Sequence, residues 1–289
     1  MASERGLLPF VLPTFVLMGL ATIAPIVLTI VVSLYIVDPT SPIGPVVQGL
    51  ANYAALLSDE RFLNSLIVMT ELIIIPVVAQ LLIGLLLAIV LREKLAGMRW
   101  MRLVFLLPAV IPPAVGGLVW KLFIVPGAGG LTYFAGRVGL SLDVNLLDRP
   151  GSALATVIVA SIWVGTPLVA LLLLSALESI GDEQYEAAAL DGASWLRSQW
   201  HVSIPNIRPV VRTVIVFRVL EALAVFPMIF VLTGGGPASA TEPVNYYAYL
   251  TGFDYLKIDY AASIITCFFV IMLAAAAPFL AGIARTSAT

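Results

Sequence analysis

Six long apolar runs alternate with polar connections along this chain: Leu7–Val32, Phe62–Leu91, Leu103–Val125, Ala153–Leu177, Val210–Leu232 and Ala261–Ile283. Each reaches the length of about 20 residues that carries an α-helix across a bilayer. A membrane β-barrel would instead show short segments alternating between lipid and lumen faces, and no sustained alternation is present. The pattern predicts an all-α fold: a polytopic integral membrane bundle of six transmembrane helices. The first run is long and lacks a small-residue cleavage site, so it reads as a retained helix. The connections Asp38–Arg61, Pro126–Ser152 and Thr233–Tyr260 are rich in Pro or Gly, and none is long enough for a soluble module. Residues 1–289 are therefore expected to form a single transmembrane domain without internal repeats. Pro76, Pro108, Pro112, Pro113, Pro167, Pro227 and Pro278 fall inside the runs. Each removes a backbone donor and bends its helix, which a membrane tolerates where neighbours satisfy the freed carbonyl.

Composition removes the soluble alternative, because 61% of the 289 residues are hydrophobic and only 11% are charged. Mean hydropathy is +1.05. The distribution of basic residues then sets an expected orientation, since cytoplasmic loops carry the excess of Lys and Arg. One side holds Arg5, Arg92, Lys94, Arg99, Arg102, Arg197, Arg208, Arg212 and Arg285, the other Arg61, Arg137, Arg149 and Lys257. Both termini and the 178–209 connection thus face the cytoplasm. A net charge of −2 and the lack of a basic run leave no case for a nucleic-acid partner. Cys267 is alone, so there is neither a disulfide framework nor a thiol metal site. His201, also alone, reads as a solvated residue and not a metal ligand or base.

The polar stretch Glu186–Pro205 interrupts this apolar chain most sharply. Asp182 is a candidate N-cap, with Glu183 and Glu186 in the first turns where acids favour the positive end of the helix dipole. A slim helix, Glu183–Leu190, follows, built on Ala187, Ala188, Ala189 and Leu190. Gly192 can supply a positive-φ turn, after which Ala193–His201 reads as a second helix closed by Pro205. The spacing is Glu186-Ala187-Ala188, three residues, Gly192, nine residues, Val202, Ile204 and Pro205. It resembles the Glu-Ala-Ala loop by which permeases of bacterial binding-protein-dependent ABC importers dock on their ATPase.

The resemblance extends along nearly the whole chain. Gly49-Leu50-Ala51-Asn52-Tyr53 before Phe62-Leu63-Asn64-Ser65 is similar to the approach to the second helix of sugar-class permeases, as is Leu106–Pro112 followed by Trp120. Val231–Pro237 resembles the glycine turn after their fifth helix, and Tyr246–Tyr249 with Gly252-Phe253 their last external loop. These motifs point to the carbohydrate-uptake, maltose-type branch and to its larger-permease-like member, without the extra external domain. The resemblance implies a type I ABC importer permease fold in a bacterial plasma membrane. It also implies a second homologous permease, a homodimeric cytoplasmic ATPase and an external binding protein. No cofactor is expected in this chain, which lacks a phosphate-binding Gly-x4-Gly-Lys-Ser/Thr loop; ATP and Mg would be held by the ATPase. The coupling positions implied are Glu186, Ala187, Ala188, Leu190, Asp191 and Gly192.

Ionisable groups at membrane depth cost at least ~2.5–3.5 kcal/mol on insertion scales, so each needs a partner, a cavity or a role. Lys121, near a helix end beside Trp120, can snorkel to the interface. Arg218 and Glu221, three residues apart, share a helix face and can neutralise each other. Glu71 has no charged neighbour at helical spacing and is expected either to pair with Arg218 across the bundle or to face water. Aligned on Trp163-Val164-Gly165-Thr166-Pro167, the resemblance places a substrate path at Ser161, Val164, Gly165 and Leu168. Aligned back from Leu232-Thr233-Gly234, it adds Arg218, Ala222 and Val225. Positions that carry amides in the maltose-type protein are Ser161, Ala222 and Val225 here, so a different polar ligand is implied, with Arg218 and Glu221 as hydroxyl partners. Trp163 and Phe226 are candidate aromatic platforms for a sugar. The expected function is a permease subunit importing a sugar, oligosaccharide or polyol. The rival reading is a secondary transporter driven by an ion gradient, with Glu71 and Glu221 as its coupling carboxylates. A membrane-embedded transferase would need clustered Asp or His for metal and diphosphate, and no such cluster occurs.

Overall fold

The computed structural model describes residues 8–36, 44–92, 98–139 and 145–286, with side chains described for 12–36, 44–92, 100, 104–139 and 145–275. In chain order the elements are α1 (Leu8–Val32), β1 (Tyr35–Ile36), β2 (Val46–Val47), α2 (Ala51–Leu56), α3 (Glu60–Arg92), α4 (Met98–Val110), α5 (Pro113–Phe123) and α6 (Gly130–Arg137). They continue with α7 (Pro150–Glu178), α8 (Asp182–Leu190), α9 (Trp195–Ser198), α10 (Ile204–Leu223), α11 (Phe226–Leu232), α12 (Val244–Tyr249) and α13 (Ile258–Thr286). The two short strands pair antiparallel, Tyr35 opposite Val47. Of the basic residues used for orientation, Arg5 and Lys94 lie outside the described residues, as do the side chains of Arg99, Arg102, Arg285 and Pro278.

Among the described residues four helices are long and apolar enough to span a membrane, and six spans result if each of two bent pairs counts as one. Those bends correct two expected continuous helices. The predicted run 103–125 breaks between α4 and α5, with a bend of 113°. Pro112 and Pro113 are the cause: Pro112 sits at φ −56°, ψ 144°, outside the helical region, and Pro113 opens α5 where a missing N–H costs nothing. The predicted run 210–232 starts earlier, at Ile204, and bends by 47° between α10 and α11, where Pro227 lies in the first turn of α11. Pro76 and Pro167, by contrast, lie within unbroken α3 and α7.

Two compact units are distinguished, residues 1–63 with 244–289, and residues 64–243. In the first, buried Asn52 of α2 donates to the Ser33 carbonyl at 3.3 Å and to Asp259 Oδ2 at 3.4 Å, while Tyr53 and Ser33 hydroxyls meet at 2.5 Å. The Asn-Tyr pair noted in the sequence thus ties α2 to the end of α1 and the start of α13. Asp59 forms a second tie: its Oδ2 accepts the hydroxyls of Tyr247 and Tyr260, both at 2.7 Å, and its Oδ1 the amides of Arg61 and Phe62. The Arg61 guanidinium lies 5.1 Å from the Tyr247 ring centre and 5.6 Å from that of Tyr255.

Burial alone pushes the Asp59 carboxyl up, but these four hydrogen bonds outweigh it and hold the group below its ordinary 3.8. Burial and then the Asp59 carboxylate push the Tyr247 phenol up, so it remains a donor. A depressed carboxylate contributes stability that is complete above its ordinary value and is lost as pH falls through the lower folded value. Asp59→Asn is therefore expected to melt a few degrees below the wild type throughout pH 5–8. The gap should close below about pH 4, as thermal unfolding in detergent across pH would report.

In the second unit the core lies where α3, α7 and α10 meet, with Ala88, Val169, Leu173, Leu177, Ile207 and Val214 buried. Gly84 sets the approach of α3 to α7, since a Cβ there would lie 2.7 Å from Val169 Cγ1. At Gly117 of α5 a Cβ would stand 3.0 Å from the Met228 carbonyl oxygen of α11. Small residues thus let these backbones come close, which drives helix association where lipid removes the hydrophobic incentive. Lys121 donates to the Val231 carbonyl at 3.0 Å, placing a cation at the C-terminal end of α11.

Candidate functional site

The elbow at 181–205 is built differently from the expectation in two respects. Gly181, not Asp182, is the N-cap of α8; Asp182 and Glu183 occupy its first turn. Asp182 is drawn instead towards Arg92, 3.8 Å away at the end of α3. The second helix is not Ala193–His201 closed by Pro205. Ser194 caps it, accepting the Arg197 amide at 3.4 Å, and after Ser198 the chain widens into a π-helical turn, Gln199–Ser203, that leads into α10. The Ile204 amide bonds the Gln199 carbonyl five residues back. Pro205, lacking an N–H and clashing with a carbonyl four residues back, is accommodated by this wider turn in the first turn of α10.

Gly192 ends α8. Its φ is +77°, its amide bonds the Ala189 carbonyl at 3.0 Å, and the Ala193 amide bonds that of Ala188 at 2.9 Å. This is the Schellman closure, which needs a left-handed residue. None of the nine residues of α8 is buried. Glu186, Ala187, Asp191 and Gly192 are exposed, Ala188 half-buried, and Leu190 is 90% exposed. Trp195, Leu196 and Trp200 are exposed nearby. The underside is anchored. Arg92 lies 4.0 Å over the Tyr185 ring, Tyr185 and Ser203 hydroxyls meet at 2.8 Å, and Asn206 donates to Gln184 at 2.9 Å. The outer face of α8 is thus exposed while its underside is braced to α3 and α10.

The second group lies deeper, among α3, α7 and α10. Arg218 is 7% exposed. Its Nε donates to Gln80 Oε1 at 2.9 Å, and its Nη1 donates to Glu221. Gln80 Nε2 in turn donates to the Ser161 carbonyl at 2.8 Å. A cavity of about 60 Å³ adjoins this chain of bonds, lined by Gln80, Ser161, Arg218 and Glu221 and by apolar Leu72, Val164, Ala222, Val225 and Met228. Six of the nine path residues named from the sequence, Ser161, Val164, Arg218, Glu221, Ala222 and Val225, therefore line one cavity. Gly165 stands behind it: a Cβ would lie 2.3 Å from Arg218 Nη2 and 2.4 Å from Gln80 Nε2. Leu168 is half-buried one turn on and does not line the cavity. Glu71, half-buried on α3, lies nine residues before Gln80, about 13 Å along the axis. The partners of Arg218 are Gln80 and Glu221, and not Glu71. Trp163 packs edge-on to Trp120 at 6.2 Å and Phe226 stacks on Phe230 at 5.8 Å, both outside the cavity lining.

The atoms that a Gly165 Cβ would strike are ends of flexible side chains, so Gly165→Ala is expected to preserve the fold while pushing Arg218 off Gln80. Uptake should fall about tenfold at unchanged yield and size-exclusion profile, the loss expected when a charge-assisted hydrogen bond breaks.

A helical membrane bundle with an exposed Glu-Ala-Ala elbow and a buried polar node defines a solute permease. Residues 80–285 match the family model for the inner membrane component of binding-protein-dependent transport systems, and the chain belongs to that family. It is a multi-pass inner-membrane transport subunit. The chain is 34% identical over 268 residues to the trehalose/maltose transport system permease MalF of Thermococcus litoralis, covering 91% of this chain and 88% of that protein. It is 33% identical over 227 residues to the sn-glycerol-3-phosphate permease UgpA of Agrobacterium fabrum, covering 78% and 77%. A bacterial ABC transporter that imports the acidic polysaccharide alginate superposes with a TM-score of 0.80 at 20% identity, over 96% of this chain and 94% of that one, and shares the fold.

Gln80 and the Arg92–Tyr185 contact escaped the sequence reading. Gln80 had a signal, being an amide in the middle of a long apolar helix, where a polar side chain needs a partner. Tyr185, the lone aromatic of the alanine-rich α8, was the corresponding signal for its anchor.

Proposed function

We propose that this chain is one of two homologous membrane subunits of an ATP-driven, binding-protein-dependent importer for a sugar, oligosaccharide or polyol. In this reading α8 docks on a cytoplasmic ATPase homodimer, which binds the ATP and Mg, and Glu186, Ala187, Ala188, Leu190, Asp191 and Gly192 form the contact. Solute passes Ser161, Val164, Gly165, Leu168, Arg218, Glu221, Ala222 and Val225, with Glu71 further along α3. The observation that carries the reading is α8 itself, a helix with no buried residue yet braced to two long helices. A helix so exposed and so anchored suits a lever worked by another protein.

The relatives' names, a trehalose/maltose and a glycerol-phosphate permease, support polyhydroxylated cargo. The cavity supports an alternating cycle, because its volume is only about 60 Å³. Small-molecule sites start near 300 Å³. Cargo therefore requires another conformation, and ATP supplies the differential stabilisation that populates it. The bends at 110–113 and 223–226 border this region and are natural places for opening. The test is to purify the tagged chain from its native host in mild detergent and identify bound proteins by mass spectrometry. A homologous permease with an ATPase is the expected result. A lone chain whose uptake collapses with the ion gradient and survives loss of ATP would overturn it in favour of a secondary transporter.

A further inference from the structure

A guanidinium in a membrane path is an anion site unless something cancels it. Arg cannot be deprotonated, and its planar fork suits phosphate and carboxylate. Here two arms of the fork are already engaged. Nη1 donates to the Glu221 carboxylate, Nε to the Gln80 carbonyl oxygen, and Gly165 leaves just enough room for Nη2. Gln80 is itself fixed by its bond to the Ser161 carbonyl, so Arg218 is held from both sides. The Glu221 side chain, 44% exposed against 8% for that of Arg218, is the partner nearer to open space. An arriving anion would therefore meet a carboxylate before a guanidinium, and would leave water for a wall otherwise lined by Leu72, Val164, Val225 and Met228. Both effects oppose it. A neutral solute meets no such barrier: its hydroxyls can accept from Arg218 and donate to Glu221, replacing like bonds with like.

We propose that Glu221 and Gln80 are specificity-determining residues that mask the charge of Arg218, so that the path admits uncharged polyhydroxylated solutes and rejects phosphorylated or carboxylated ones. Gln80 acts by position, holding Arg218 where Glu221 reaches it. The inference rests on the importer reading and divides the cargo classes that reading leaves together.

Two measurements test it. In the first, the complex purified with its partner subunits is titrated with radiolabelled inorganic phosphate, small enough to enter without a binding protein. Wild type should show no saturable binding, whereas Glu221→Gln should gain it, and Glu221→Gln with Arg218→Gln should lose it again. Saturable binding in the wild type, or no gain in an assembled Glu221→Gln complex, overturns the inference and leaves the importer reading standing. The second measurement needs no variant and decides the matter if Glu221→Gln does not assemble. Proteoliposomes holding the wild-type complex and its binding protein are offered trehalose, maltose and sorbitol against sn-glycerol-3-phosphate and glucuronate. ATP-driven uptake confined to the neutral set supports the inference. Uptake of an anionic member overturns it alone, and uptake of none overturns the cargo reading together with it.

Discussion

Gly192→Pro is expected to abolish ATP-driven uptake in an inserted protein of near-normal yield. The backbone at Gly192 has φ +77°, whereas the proline ring fixes φ near −65°, so the substitution forces the turn to reverse. It also deletes the amide that bonds the Ala189 carbonyl. The Schellman closure fails, α8 loses its fixed exit, and its upper face no longer meets a partner at the angle set by Arg92, Tyr185 and Asn206. Because α8 contributes no buried residue, the bundle core at Val169, Leu177 and Ile207 is untouched and the loss falls on coupling. Gly192→Ala gives the graded comparison: a left-handed non-glycine costs about 1–2 kcal/mol, so partial uptake is expected. Glu186→Lys should reproduce the null phenotype by reversing charge on the exposed face proposed to dock. The check is uptake in proteoliposomes beside ATP hydrolysis by the same complex, with a Cys at Ala188 for cross-linking to the ATPase. Normal uptake by both variants would remove α8 from the coupling role.

The elbow was legible because its spacing rests on local chemistry: a glycine where φ must be positive and small residues where a helix must stay slim. The apolar runs were legible for a similar reason, since a bilayer imposes length on each span irrespective of its neighbours. What the sequence hid depends on contacts between distant segments. The proline pair at 112–113 was visible as a bend, but its 113° angle was not. Pro205 looked like a stop because local rules make it one, and the π turn that absorbs it draws on packing by Gln199 and Ser203, both buried. Arg218 was paired in expectation with Glu71 or with Glu221, because charge alone suggests charged partners. The second partner is instead the neutral Gln80, brought in from α3 across 138 positions. Gly165 was named by resemblance, yet its physical reason, room for Arg218, appears only when α7 lies against α10.

Arg218→Ala should cost transport far more than it costs assembly. Removing the guanidinium leaves the Gln80 carbonyl oxygen without its donor and Glu221 without its counter-charge. A buried acceptor left unsatisfied costs about 1–3 kcal/mol. The carboxylate does not add the full 3–5 kcal/mol of a broken buried pair, because the Glu221 side chain is 44% exposed and can recover water. Gln80 also keeps its bond to the Ser161 carbonyl, so α3 and α7 remain joined. The complex should therefore assemble with a modest fall in melting temperature, while uptake drops more than tenfold or turns to different solutes. Arg218→Lys separates charge from geometry: an ammonium carries the same charge without the planar fork, and cannot reproduce the two divergent bonds to Gln80 and Glu221. If Arg218 works through its fork, the lysine variant will transport nearly as poorly as the alanine one. If charge alone suffices, lysine will restore uptake. A complex that falls apart in both variants, with residual uptake tracking its yield, would reduce the pair to a structural tie.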